Sequence, residues 1–366
     1  MAFTVVRGKI VSIDVLVDPD RVAGLDLVVF DTWPARCHSQ RGCLVSVLRE
    51  TQEEVLVMRV FVAGGSGVLG RRLVPQLVAR GHQVTATTTS AGKLGVLQQL
   101  GAEGVVMDGL DAASVGEAVA AAQPDTVVNQ MTGLSEAHAG KPNLRKPEVF
   151  FAATNRLRSD GMDHLLAAAE ATGVSHVVAQ GHASMNGIRE GGWVKTEEDP
   201  LEVIEGTKAI NHMEDVVVNA GGAVLRYGGF YGAGAHDDQV MLVRKRLLPL
   251  VGGGTGYVSW VHVDDAANAT VLAVEQQAQG VFNIVDDEPA PVSEWLPYLA
   301  ECVGAKPPRR IPAWLARLLA GELAVGIMTE GRGFSNAKAK RELGWELHHP
   351  SWRQGFKAEL STTGLR

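Results

Sequence analysis

Three glycines, Gly64, Gly67 and Gly70, follow one another at the spacing of a loop that binds a nucleotide pyrophosphate. They come directly after the apolar run Val60–Ala63 and before a helix-type segment. In such a loop the first glycine permits a tight turn, the second lets the backbone approach phosphate oxygens, and the third lets the helix pack closely. The amides at the start of that helix then bind the anion. The residues predicted to hold the pyrophosphate are Gly64, Gly65, Ser66, Gly67, Val68, Leu69 and Gly70.

The residues after the second predicted strand indicate which dinucleotide this turn binds. NAD-binding proteins carry a carboxylate there, about 20 residues past the glycines, for the adenosine ribose. Here Thr88, Thr89 and Ser90 occupy the position, with Lys93 and the pair Arg71–Arg72 nearby. Hydroxyl groups and cations accommodate a 2′-phosphate, which a carboxylate would repel. We therefore expect NADP or NAD as the cofactor, with NADP favoured.

From Val60 onward, short β-type runs alternate with helix-type runs, the pattern of a parallel sheet covered by helices. The predicted strands are Val60–Ala63, Gln83–Thr88, Gly104–Met107, Thr126–Gln130, His176–Gln180, Ala223–Tyr227 and Val281–Val285. The predicted helices include Leu69–Arg80, Asp111–Ala122, Asp163–Thr172 and Asn211–Ala220. We expect an α/β fold, a Rossmann doubly wound parallel sheet with a smaller C-terminal substrate lobe. The lobe is expected to come mainly from residues 186–206, 232–258 and 288–356.

Residues 1–57 do not follow this alternation. Phe3–Val17 has the pattern of a β-hairpin, followed by a short helix, and residues 1–30 resemble the C-terminal tail of extracytoplasmic-function sigma factors. A segment of this length lacks the area to bury a core of its own. We therefore expect an N-terminal extension outside the native enzyme, an upstream read-through, with residues 58–366 forming the cofactor-binding domain. The alternative is an extra hairpin packed on the enzyme.

Composition excludes several classes of partner. The net charge is −7, so the chain lacks the basic surface of a nucleic-acid-binding protein. Three cysteines in 366 residues do not suggest a disulfide framework or a metal site. The apolar stretch Ile311–Met328 contains Pro312 and charged residues at amphipathic spacing, which is unlike a membrane span. We expect a cytoplasmic protein that can form a homodimer and that binds a small-molecule substrate and neither nucleic acid nor membrane.

Motifs farther along the chain resemble those of the extended short-chain dehydrogenase/reductase family, which includes NAD(P)-dependent epimerases and dehydratases. The matching segments are Gly64–Gly70, Met107–Leu110, Asn129–Thr132, Asn155, Leu225–Gly232, Val261–Asp265 and Ser335–Trp345. Ala63 departs from the family, which has threonine before the glycines. The cofactor residues that the resemblance implies are Asp108 and Gly109 at the adenine, Gln130, Met131 and Thr132 under the cofactor, and Asn155 at the start of the next long helix.

The catalytic residues of that family are missing from their usual positions. Its members use a serine or threonine, together with a tyrosine followed four residues later by lysine, to move a proton to or from the substrate oxygen. None of the four tyrosines in this chain has lysine at that spacing. Alignment through Glu214 puts Gly206 and Ile210 at the tyrosine and lysine positions and His182 at the serine position.

Two functions are compatible with an intact cofactor turn that lacks the Tyr-x-x-x-Lys pair. The first is an atypical NAD(P)-dependent oxidoreductase or epimerase/dehydratase-like enzyme, acting on a small carbonyl, alcohol or sugar-like substrate. His182 would then be the acid or base, because an imidazole titrates near neutral pH. Tyr227 or Tyr231 would present a hydroxyl to the substrate oxygen. The second function is a non-catalytic NAD(P)-binding redox sensor or regulator.

Overall fold

A computed structural model of the chain describes residues 2–6, 9–14, 57–134, 145–183, 189–200 and 207–362. The chain divides into two compact units, Met1–Val55 and Leu56–Arg366. In the first unit, strands β1 (Ala2–Val6) and β2 (Lys9–Asp14) form an antiparallel hairpin with an irregularity between Thr4 and Val5. The hairpin predicted from the sequence is therefore present. The short helix predicted after it lies outside the described residues.

The second unit contains an alternation of strands and helices. Its strands are β3 (Arg59–Ala63), β4 (Gln83–Thr88), β5 (Glu103–Val106), β6 (Thr126–Asn129), β7 (His176–His182), β8 (Val194–Lys195), β9 (Ala223–Tyr227), β10 (Gly229–Tyr231), β11 (Leu250–Val251), β12 (Tyr257–Val258), β13 (Trp260–His262), β14 (Gly280–Ile284), β15 (Ala290–Pro291), β16 (Arg310–Ile311) and β17 (Gly333–Phe334). Its helices are α1 (Gly70–Ala79), α2 (Leu94–Gln99), α3 (Ala112–Ala122), α4 (Pro147–Phe150), α5 (Ala152–Arg158), α6 (Asp160–Thr172), α7 (Lys208–Asn219), α8 (Asp237–Arg244), α9 (Val263–Glu275), α10 (Val292–Cys302), α11 (Ala313–Ala320), α12 (Glu322–Glu330), α13 (Ala337–Leu343) and α14 (Trp352–Thr362), with a 3₁₀ turn at Ala91–Lys93.

Within the described part of the chain, seven strands form one sheet in the order β14-β9-β7-β6-β3-β4-β5. All the pairings in this sheet are parallel. The strand order reverses between β3 and β6, so the fold is the doubly wound Rossmann type that the sequence predicts. In such sheets the ligand crevice lies outside the carboxyl ends of the strands at this reversal. The turns after β3 and β6 therefore form the expected site.

Helices cover both faces of this sheet because each turns an apolar stripe toward it. On one face α1 packs against α9, and their buried side chains include Leu73, Leu77 and Val271. On the other face α3 packs against α6, with Val119 and Leu165 buried between them and the sheet. The parallel strands are thus buried on both sides, which accounts for their continuous apolar runs.

A further core forms in the C-terminal part, around Trp260, Trp295, Trp352 and Phe356. This part of the chain also contains the short strand pairs β11–β16, β12–β15 and β8–β17. Residues 337–345 fall inside the range predicted for the substrate lobe, but they pack elsewhere. Ala339, Leu343 and Trp345 belong to the core of the main sheet, because their apolar stripe faces α9.

The apolar stretch Ile311–Met328 forms parts of two short helices, α11 and α12, rather than one long helix. Gly321 separates them with a φ of 88°, a conformation that favours glycine. Among the described residues, no helix combines the length and apolarity that crossing a bilayer requires.

Candidate functional site

The glycine turn after β3 has one open side. Gly64 has a φ of 88°, and a Cβ there would lie 2.7 Å from the carbonyl oxygen of Gln130. A Cβ at Gly70 would lie 2.5 Å from the carbonyl oxygen of Gly65. These two glycines are therefore required by the packing of the protein itself. At Gly67, which is exposed, a Cβ would meet only the Gly64 carbonyl oxygen, at 3.2 Å. Gly67 leaves room for a ligand, as expected of a pyrophosphate turn.

Hydroxyl groups join this turn to the end of β4. The Gly64 amide donates a hydrogen bond to Thr87 Oγ1 at 3.0 Å, and Ser66 Oγ donates one to Thr88 Oγ1 at 3.1 Å. Arg71 Nε donates to the Ser66 carbonyl oxygen at 3.0 Å, so a guanidinium lies beside these hydroxyls. The remaining predicted residues of this edge, Thr89, Ser90 and Lys93, are exposed next to it. The edge therefore presents hydroxyls and cations.

Arg72, the neighbour of Arg71, has other partners. Its guanidinium lies 3.4 Å from an Asp264 carboxylate oxygen and donates to the Ala233 carbonyl oxygen at 3.0 Å. Its charge is therefore partly satisfied within the protein. Arg71 is the better placed of the two for a phosphate group.

The turn after β6 borders the same crevice. The Met131 amide donates to Asn129 Oδ1 at 3.0 Å, which shapes the turn. The Gly133 amide donates to Thr154 Oγ1 at 2.9 Å, which fixes helix α5 beside it. A Cβ at Gly109 would lie 2.5 Å from the Met131 sulfur, so the turn after β5 packs there as well. The turns after β3, β5 and β6 thus meet at one edge of the sheet.

Four further residues predicted for the cofactor lie at this edge. Gln130 is buried, and its side-chain nitrogen donates to the Tyr227 hydroxyl at 3.3 Å. Thr132 and Asp108 are exposed, and Asp108 Oδ1 accepts a hydrogen bond from the Leu110 amide at 2.9 Å. Asn155 Oδ1 is buried without a hydrogen-bond partner among the described residues. An orphaned buried oxygen of this kind fits a site that a ligand completes.

His182 is the last residue of β7 and is half-buried. Burial, and after it the positive charge of Arg158, together lower the pKa of its imidazole to about 4. The sequence-based expectation that this histidine titrates near neutral pH is therefore corrected. At pH 7 the ring is neutral, so it can position a substrate oxygen but holds no extra proton to deliver.

Tyr227 points into the core rather than the crevice. It is 1% exposed, and its hydroxyl lies 2.7 Å from Thr270 Oγ1 on α9. Burial raises the pKa of this phenol. Because the hydroxyl also accepts from Gln130, its hydrogen-bonding capacity is used inside the protein. This position argues against the predicted contact with substrate.

Tyr231 is likewise a packing residue. It is fully buried in the C-terminal core, where its ring contacts Phe356 and His262 edge-on. Burial raises the pKa of its phenol, and the negative charge of Asp286 adds to the rise. A Cβ at Gly355 would lie 2.2 Å from the tyrosine ring, so α14 packs tightly over it. The predicted role as a substrate-contacting hydroxyl has no support in this arrangement.

A buried cluster of charges, which the sequence reasoning missed, lies behind His182. Arg226 donates from Nε and Nη2 to the two oxygens of the Glu214 carboxylate, at 2.9 and 2.5 Å, and both side chains are 4% exposed. Arg158 is buried near them, and its burial lowers the pKa of the guanidinium to about 10. Ile210, at the position where the related enzymes have lysine, is fully buried. The only sequence signal was charge within apolar runs such as Leu225-Arg226-Tyr227.

Comparison with known proteins agrees with this architecture. A 3-diazoavenalumate denitrifying reductase from Streptomyces sp. is 41% identical over 315 residues, which are 82% of this chain and 100% of that protein. A ketoreductase from Stigmatella aurantiaca, named for a farnesylated dihydroquinoline oxide, is 28% identical over 327 residues, which are 79% of this chain and 92% of that protein.

Solved structures of low sequence identity share the fold. The UDP-glucose 4-epimerase of Thermotoga maritima with UDP-glucose has a TM-score of 0.67 at 22% identity, covering 83% of this chain and 98% of that one. A human epimerase family protein with NADPH has a TM-score of 0.64 at 19% identity, covering 82% of this chain and 99% of that one. The profile of the NAD dependent epimerase/dehydratase family matches residues 60–285. The chain belongs to the NAD-dependent epimerase/dehydratase family.

Proposed function

We propose that this protein is a nicotinamide-dependent reductase that replaces the diazonium group of a small anionic substrate by hydrogen and releases dinitrogen. The observation that carries the proposal is that, among the described residues at the crevice, none of the predicted catalytic groups is a proton donor matched to neutral pH. Ile210 is apolar and buried, and the pKa of His182 lies at about 4. The hydroxyls of Tyr227 and Tyr231 lie in the core.

The chemistry of the reacting group explains why such a site suffices. Reducing a carbonyl requires a hydride on carbon and a proton on oxygen, and the family's tyrosine serves that proton. Replacing a diazonium group by hydrogen requires a hydride only. A C–H bond forms with the electron pair of the hydride, and the C–N bond breaks with its pair leaving on neutral N₂. The bound dinucleotide supplies the hydride and is oxidised. No proton enters the balance.

The Streptomyces relative supports the same reaction. Its name describes a reductase that removes nitrogen from a diazo compound ending in a carboxylate, and its whole length matches this chain at 41% identity. Fold similarity alone would not carry the proposal, since sites with different chemistry occur on one fold. A relative matched over its full length, together with the lack of a suitable acid among the described residues of the crevice, favours diazonium reduction over carbonyl reduction.

Deuterium transfer to a matched pair of probes tests the reaction. The first probe is the diazonium salt made from 4-aminobenzoate, and the second is 4-carboxybenzaldehyde, so the two differ only in the reacting group. Each probe is incubated with NADPH deuterated at both C4 positions. We expect benzoate carrying deuterium at the carbon that lost nitrogen, and no reduction of the aldehyde. The rate should stay constant from pH 6 to 8, because the pKa of His182 lies at about 4 and the ring does not titrate in that range.

The control is the same mixture without protein, which measures spontaneous reduction of the diazonium salt. The opposite result is an aldehyde that turns over faster than the diazonium salt, at a rate that falls as the pH rises through 7. If that pH dependence is absent in His182→Gln, His182 donates a proton and the site reduces carbonyls. Tight NADPH binding without turnover of either probe would favour the redox-sensor function.

We also propose NADP as the preferred cofactor, with Arg71 holding the 2′-phosphate next to Ser66 and Thr88. Arg71→Gln should raise the Kd for NADPH roughly tenfold, the order of one charge-assisted contact, and leave the Kd for NADH within about twofold. Lys93→Gln is the matched control, because it removes an exposed cation three residues beyond Ser90. Fluorescence titration with both nucleotides measures the ratio. A larger effect in Lys93→Gln would move the phosphate contact to that lysine, and a native preference for NADH would refute the proposal.

A further inference from the structure

A buried arginine lies at the end of the helix that borders the β6 turn. Arg158 is the last residue of α5 and is 6% exposed. It stands four residues after Thr154, the residue that accepts the hydrogen bond from the Gly133 amide. Residues four apart share one face of a helix, so Arg158 lies on the face of α5 that Thr154 turns toward the turn after β6.

The charge of Arg158 has no partner that fully satisfies it. No described residue accepts a hydrogen bond from its guanidinium. The nearby carboxylate is that of Glu214, and both of its oxygens already accept from Arg226, at 2.9 and 2.5 Å. Counted over the described residues, the cluster holds two buried guanidinium groups and one carboxylate, which leaves one positive charge in excess. The imidazole of His182 adds none at neutral pH, since its pKa is about 4.

An unmatched buried cation is costly, so its presence at a crevice points to an anion that binds there. A guanidinium presents paired N–H donors that match the two oxygens of a carboxylate or donate together to one phenolate oxygen. We propose that Arg158 binds an anionic oxygen of the substrate beside His182. This inference deepens the proposed function and rests on it for the reacting group. A diazonium cation alone would be repelled by the excess charge, whereas an anionic oxygen on the same molecule compensates for it.

Binding measurements without turnover test this assignment. The full chain is saturated with NADP⁺ and titrated with two pairs of probes at pH 8: benzoate against benzamide, and 4-nitrophenolate against 4-nitroanisole. Each pair keeps the ring and removes the charge, so the pairs distinguish a carboxylate from a phenolate. We expect at least one anion to bind more tightly than its neutral partner in the wild-type protein.

Arg158→Gln should raise the Kd of that anion roughly tenfold to 100-fold, the usual loss of affinity when a hydrogen bond to a charged group is removed. The neutral probe and NADPH should each stay within about twofold. Arg158→Lys should recover part of the anion binding, because it restores the charge but not the paired donors. The thermal midpoint of Arg158→Met without ligand should be unchanged or raised, because methionine keeps an apolar side chain of similar length and removes a charge that burial disfavours.

Three results would overturn the assignment. They are equal binding of anion and neutral probe by the wild type, a loss of NADPH affinity in Arg158→Gln with probe binding unchanged, and a sharp fall in the thermal midpoint of Arg158→Met. The last would mean that Arg158 is a structural partner of Glu214. Deuterium transfer is a separate readout. If no deuterium is transferred but anion binding still depends on Arg158, the proposed reduction is refuted and the assignment of the anion site is retained.

Discussion

Gly67→Val should abolish binding of NADPH and NADH alike, raising each Kd on the order of 100-fold or more, because the pyrophosphate contact is lost as a whole. The valine side chain would stand where the backbone of the turn approaches the phosphates. The fold should tolerate it, since Gly67 is exposed, its φ lies outside the left-handed region, and a Cβ meets only the Gly64 carbonyl oxygen at 3.2 Å. Nucleotide titration by fluorescence and a thermal scan measure the two properties separately.

Gly116→Ala is the matched control for that variant. Gly116 lies within α3, and a Cβ there meets nothing within 4 Å. Alanine in a helix interior is favoured over glycine by about 1 kcal/mol, so this variant should be slightly stabilised and bind cofactor normally. Retained nucleotide affinity in Gly67→Val would contradict the placement of the pyrophosphate. Gly64→Ala and Gly70→Ala would test the folding of the turn rather than nucleotide binding, because their side chains would collide with backbone oxygens.

Much of the cofactor half of the molecule could be predicted because its signals are local. The bounds of β4 and β9 agree with the predicted Gln83–Thr88 and Ala223–Tyr227. Both are apolar or β-branched runs that end where turn residues begin. β7 was predicted to end at Gln180, yet it continues to His182 because His182 pairs in register with Tyr227 on β9. That extension depends on the neighbouring strand, which a single sequence does not specify.

The chemistry of the crevice was harder to predict because it depends on distant contacts. Tyr227 has the hydroxyl of a candidate catalyst, but its partner is Thr270, 43 residues away on a helix behind the sheet. His182 has an ordinary imidazole, but burial and Arg158 lower its pKa to about 4. Arg158 is not among the predicted site residues, since a single arginine near a helix end is usually solvated. The roles of all three residues depend on burial and on charge or hydrogen-bond partners in other helices and strands.

Glu214→Gln should destabilise the protein by about 3–5 kcal/mol, the usual cost of removing one partner of a buried ion pair. The amide keeps the shape of the side chain but leaves Arg226 and Arg158 buried without a carboxylate. The pair joins α7 to β9, next to the strand that ends at His182, so cofactor binding should weaken only through loss of folded protein. Urea unfolding followed by tryptophan fluorescence, with and without saturating NADPH, measures the change.

Two further variants serve as controls for the Glu214→Gln measurement. Asp125→Asn weakens the Arg59–Asp125 ion pair, whose groups lie 2.9 Å apart with side chains 47% and 42% exposed, and it should leave the unfolding midpoint almost unchanged. The double variant Glu214→Met with Arg226→Met should recover much of the stability lost in Glu214→Gln, because it removes the Arg226 charge together with its partner and leaves only Arg158 buried and charged. If Glu214→Gln unfolds at the wild-type midpoint, the carboxylate is not needed to balance the buried arginines, and the excess charge assigned to Arg158 would have to be recounted.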